Sequence, residues 1–101
     1  MINKYWKEEL NKNNEPLYTL YLYTLYFELF ENKEELIRFS KDKDGDYVYS
    51  SELLGIEHDY LDCYGEDSIG EVKKYCEEMI EEYYEDKINY YETLLKLFKE
   101  E

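Results

Sequence analysis

The stretch GIEHDYLDCYGED (55–67) sets the single histidine of the chain, His58, beside Asp59, Asp62 and Cys63. Imidazole, carboxylate and thiolate are all metal ligands, and His58 and Asp62 share a face if the segment is helical. One His, two acids and one thiol make a sparse ligand set, and a solvated loop is the other reading. Nucleophilic catalysis would rest on His58 as its base, with no nucleophile placed beside it. Exposed carboxylates lack the burial that tunes a catalytic acid or base. Neither GxGxxG nor GxxxxGK[ST] occurs to cradle phosphates. These residue types point away from an enzyme and from a bound cofactor.

A second acidic stretch, DKDGDYVYSSEL (42–53), resembles an EF-hand calcium loop. Asp42, Asp44 and Asp46 would be its first three ligands and Glu52 its bidentate last one. The resemblance implies a calcium-responsive binding module. The sequence departs from the motif twice: the sixth position is not glycine, and Glu52 comes one residue early. Shifting the register to put Gly45 sixth leaves Ser40 and Ser51 at the ends, without carboxylates. A hairpin turn with solvated acids is the alternative.

The elements that would position these residues follow from periodicity and punctuation. Ile2, Tyr5, Trp6 and Leu10 fall on one side of a helix over residues 2–12. Asn13-Asn14-Glu15-Pro16 interrupts it, and Asn14 or Glu15 could cap a second helix with Pro16 in its first turn. The run LYTLYLYTLYFELF (17–30) fits a helical stripe through Tyr18, Tyr21, Leu22, Leu25 and Leu29. It also fits a strand face through Tyr21, Tyr23, Leu25, Phe27 and Leu29; its length and Pro-led start favour a buried helix. Asp44-Gly45, between two β-prone runs, predicts a hairpin over residues 36–51. One irregular helical turn is expected within 55–67. Ser68 and Glu71 form a capping box ahead of a long helix reaching about Phe98. On it Val72, Cys76, Met79, Ile80 and Tyr83 share a stripe, with Glu71, Glu77, Glu78, Glu81, Glu82 and Glu85 opposite. Lys87 interrupts the stripe, so a bend is expected there. Beyond it the apolar side broadens through Ile88, Tyr90, Tyr91, Leu94, Leu95, Leu97 and Phe98. That breadth reads as core or as a homodimer seam along the C-terminal helix. The fold expected is α+β and mainly helical: three or four helices, a small β-hairpin and a long C-terminal helix, in one domain over 1–101.

Charge is the most informative total. The 101 residues carry a net −14. Residues 1–50 hold ten acids and seven bases, whereas 52–86 hold thirteen acids against Lys73 and Lys74 alone. The last fifteen residues balance at three of each. Such a charge excludes direct nucleic-acid binding and an anionic membrane surface, both of which need bases. Hydrophobic residues at 44% suffice for a core, unlike a disordered acidic tail. Two cysteines without CxxC, no apolar leader and a longest uncharged run of 12 residues (16–27) suit a soluble cytoplasmic protein. Heavy use of Lys, Asn, Glu, Ile and Tyr fits an AT-rich coding sequence, as in a low-GC bacterium or its phage.

In EEMIEEYYED (77–86) six carboxylates occupy ten residues. On a helix they span roughly 15 Å, about one per 2.5 Å, against about one per 1.7 Å of duplex DNA. This stretch and the acids of EHDYLDCYGED resemble the small acidic DNA-mimic proteins with which phages and mobile elements oppose CRISPR and restriction enzymes. The resemblance implies a non-enzymatic anti-CRISPR or anti-restriction inhibitor, in the cytoplasm of the cell that hosts the phage or mobile element. Its partner would be a basic nucleic-acid-binding protein: a CRISPR effector, a restriction enzyme or a nuclease. The expected contact surface comprises Glu57, Asp59, Asp62, Glu66, Asp67, Glu71, Glu77, Glu78, Glu81, Glu82, Glu85 and Asp86. Tyr75 and Tyr84 border it, where rings can pack on Arg or Lys. An immunity or antitoxin protein that neutralises a basic nuclease toxin needs the same electrostatics. A solvated helix face without a partner is the plainer alternative.

Overall fold

The computed structural model describes residues 4–26, 30–61 and 68–100, with side chains for 4–23, 33–61 and 68–100. The chain forms two compact units, Met1–Asp67 and Ser68–Glu101. The first is a five-stranded antiparallel meander in the order β1-β2-β3-β4-β5. Its strands are β1 (Lys4–Leu10), β2 (Pro16–Tyr26), β3 (Phe30–Lys41), β4 (Tyr47–Ser51) and β5 (Ile56–Tyr60). The second is one helix, α1 (Ile69–Lys99).

The mainly helical expectation is therefore overturned. Where helices were expected over 2–12 and 17–30, Lys4–Leu10 and Pro16–Tyr26 are strands, and β5 lies where a helical turn was expected within 55–67. The spacing of Tyr5 and Trp6 misleads because each serves a different face. As strand neighbours they point opposite ways. Tyr5 stacks on its partner Tyr21 at 5.4 Å, while Trp6, opposite Leu20, meets the edge of Phe39 at 5.5 Å. β2 carries apolar residues on both faces, and at Thr19 and Leu20, each 1% exposed, both faces are covered. Its Tyr, Thr and Leu suit a pleated, packed surface. Alternation is thereby erased, and periodicity alone cannot distinguish such a strand from a buried helix.

One sheet face holds the aromatic core. Phe39 lies between Tyr18 (centroids 5.1 Å, stacked) and Tyr47 (6.0 Å, edge-on). Cross-strand pairing adds Leu20 opposite Ile37 and Tyr49 opposite Phe39, all buried. Removing the Phe39 ring would cost about 3–5 kcal/mol. A bulge between Leu20 and Tyr21 leaves Leu36 as an extra residue on β3, so Leu36 and Ile37 are both buried.

Two hairpins share one turn chemistry. At NKNNE (11–15), Asn11 Oδ1 accepts from the N–H groups of Asn13 and Glu15 at 2.9 and 3.0 Å. At DKDGD (42–46), Asp42 Oδ1 accepts from those of Asp44 and Asp46, both at 2.9 Å. Each turn sets its fourth residue in the left-handed region, Asn14 at φ 62° and Gly45 at φ 85°. Asn and Gly are the residues that adopt it most cheaply. The expected hairpin at Asp44-Gly45 is present between β3 and β4. The helix cap expected at Asn14 or Glu15 is instead part of the β1–β2 turn.

The capped helix also forms. Ser68 Oγ accepts from the Glu71 N–H at 3.2 Å, and helical structure runs without a break through Lys87. Val72, Cys76 and Ile80 are buried, and Met79 and Tyr83 half-buried, on the expected stripe. Lys96 and Lys99 lie in the last turn, where the helix dipole favours cations.

Candidate functional site: an acidic helix face

α1 positions its acids through its buried stripe. With Val72, Cys76 and Ile80 inward, the helical period turns Glu71, Glu78, Glu81, Glu82 and Glu85 outward, and all five are exposed. Glu77 is half-buried, and Asp86 is exposed beside the row. From Glu71 to Asp86 the axis rises about 22 Å. Among the described residues, Glu78, Glu81, Glu82 and Glu85 take part in no ion pair. Three like-charge pairs at i,i+4 follow: Glu77–Glu81, Glu78–Glu82 and Glu81–Glu85. Each costs an isolated helix a few tenths of a kcal/mol. Tyr75 is 37% exposed and Tyr84 half-buried, on the borders of the row.

The remaining expected contact residues are divided. Glu57 and Asp59 are exposed on the edge strand β5, in the first compact unit. Asp62, Glu66 and Asp67, with Cys63, lie outside the described residues. His58 faces Tyr60 edge-on at 6.4 Å.

The calcium-loop reading gathers no ligands, and the His58 reading rests on Asp62 and Cys63, which lie outside the described residues. Among the described residues no three His, Cys, Asp or Glu side chains converge on a metal-sized site. Asp42 instead directs its carboxylate at its own turn. An open groove of about 460 Å³ is lined by Glu35, Arg38, Ser50, Glu52, Ile56 and Glu57, among others. Its one guanidinium already pairs with Glu35 at 3.2 Å, so it offers anions little. Among the described residues, no helix is long and apolar enough to cross a membrane.

One feature was beyond sequence reasoning, and a second was left open by it. Lys33 lies 4.3 Å from the Tyr21 centroid and 5.7 Å from that of Tyr5, forming a cation–π clamp across β1, β2 and β3. Only strand register reveals it. The second is the exposure of α1 beyond Glu85. Ile88, Tyr90, Tyr91, Leu94, Leu95, Leu97 and Phe98 range from 43% to 81% exposed, so the core reading of that segment fails. Its balanced charge, in a chain of net −14, was the available sign. No protein-family model, no curated protein and no solved structure matches the chain.

Proposed function

We propose that the protein is a non-enzymatic inhibitor that occupies the basic groove of a nucleic-acid-handling enzyme, of the anti-CRISPR or anti-restriction kind. The exposed row Glu78, Glu81, Glu82 and Glu85, without ion pairs among the described residues, carries this reading. A helix can hold carboxylates within a factor of two of the linear charge density of a duplex, so a groove built for phosphates meets a comparable potential. Steering would speed the encounter and make binding salt-sensitive. Tyr75 and Tyr84 supply rings beside the row for Arg or Lys to pack on. The mechanism is competition, with no bond made or broken.

The test is retention on the immobilised protein from an extract of a low-GC bacterium, at low and high salt. The proposal expects nucleic-acid-binding proteins to be retained at low salt and released by added duplex DNA or RNA. Reversal of Glu78, Glu81, Glu82 and Glu85 to Lys should abolish retention. Retention that survives this reversal would remove the row from the mechanism. A retained nuclease toxin whose lethality the protein cancels would favour the immunity reading.

A further inference from the structure

The C-terminal part of α1 exposes a continuous apolar face in a chain of net charge −14. Ile80, Tyr83, Lys87, Tyr90, Leu94 and Leu97 follow alternating steps of three and four, the spacing of a coiled-coil seam. Burial on that seam ends near Ile80 and Tyr83; Tyr90, Leu94 and Leu97 are 56%, 43% and 57% exposed, and flanking Tyr91 and Phe98 are 61% and 81% exposed. At those exposures the three aromatic rings alone present on the order of 300–500 Å². With the aliphatic side chains, two copies would bring on the order of 1,000 Å² to a shared seam, the size of a specific interface.

We propose that residues 87–99 pair antiparallel with the same segment of a second copy, about a two-fold axis near Thr93 and Leu94. Charge selects the occupant and the direction. Residues 87–101 are electrically balanced, with three acids and three bases, while residues 71–86 hold seven acids and two bases. The seam is thus the part of α1 where two strongly acidic chains can meet without repulsion. A parallel pairing would set Lys87 against Lys87 and run the two acidic rows side by side. The antiparallel one sends the rows in opposite directions. It also brings Lys87 to the C-terminal end of the other helix, where the dipole and Glu100 attract a cation. Tyr90 then meets Leu97, and Leu94 meets its own copy, which makes the surface self-complementary as a two-fold contact requires.

Sedimentation equilibrium tests this over a range of concentrations. The expected mass is twice the 12.5 kDa chain, returning to that of one chain in Leu94→Glu and in Phe98→Lys with helix content unchanged. In a Cys63→Ser background, a Tyr90→Cys chain mixed with a Leu97→Cys chain should oxidise to the mixed disulfide, and either chain alone should form far less. A monomeric wild-type protein would overturn the proposal and leave the face to a foreign partner. A dimer that survives both charge substitutions would overturn it too. So would Leu94→Glu lowering the melting temperature of an unchanged monomer, because the chain itself would then cover the face.

Discussion

Glu81→Lys should make the protein more stable while weakening its proposed contact. Glu81 is exposed, with Glu77 at i−4, Glu78 at i−3 and Glu85 at i+4. Each like-charge pair costs about 0.2–0.5 kcal/mol, and an opposite pair in its place gains a similar amount. Three reversed pairs, discounted for screening and non-additivity, give about 1–2 kcal/mol. Even 1 kcal/mol raises the melting temperature of a domain this size by about 4–8 °C. The assay is urea unfolding followed by helix ellipticity, at fixed protein concentration and 10 mM salt, then repeated in 1 M salt. The gain should appear at low salt with an unchanged m-value, and shrink in 1 M salt, where the screening length falls to about 3 Å. A loss of stability at low salt would instead mean that the acid contributes to the fold, against this prediction. A gain indifferent to salt would also refute it.

Four further outcomes follow from the sheet. Asp42→Ala removes the acceptor of two turn N–H groups and should cost about 1 kcal/mol of stability in urea titration. Asp42→Asn should cost little, because Asn11 makes the same contacts in the other turn, and millimolar calcium should not shift the midpoint of the wild-type protein. For Tyr18, burial first, then the charge of Glu8 and a hydrogen bond to its carboxylate, raise the phenol above its ordinary 10.0. The raised value means that the folded state holds this proton more tightly. Its contribution is therefore complete below pH 10 and lost as pH climbs from there through the folded value. Tyr18→Phe should flatten the alkaline limb of a stability–pH profile, and an unchanged limb would count against this placement of Tyr18.

How much of this was legible depended on how locally each element is determined. The α1 start is written in Ser68 and Glu71, and its inward stripe in the spacing of Val72, Cys76 and Ile80; the structure keeps both. The β3–β4 turn is written in Asp44-Gly45. The strands β1 and β2 were hidden because their identity depends on partners distant in sequence. Thr19 and Leu20 are buried on opposite faces, which removes the alternation that marks a half-solvated strand. A local clue was nonetheless present: NKNNE and DKDGD share side-chain oxygens at their first position and a left-handed residue at their fourth. Aligning them would have identified the first hairpin from the second. The acidic row needed only helical periodicity, but the absence of ion pairs at Glu78, Glu81, Glu82 and Glu85 among the described residues, and the exposure of residues 88–98, needed coordinates.

If the acidic row of α1 takes the place of a nucleic acid, as proposed, it should displace one. The protein is titrated into a retained partner preloaded with fluorescent duplex DNA or RNA. Anisotropy should fall to that of the released nucleic acid at one chain per groove. The apparent affinity should drop steeply with salt, and the four-fold Lys variant should release nothing. A ternary complex, in which partner, nucleic acid and protein sediment together with no release, would rule out competition for the groove.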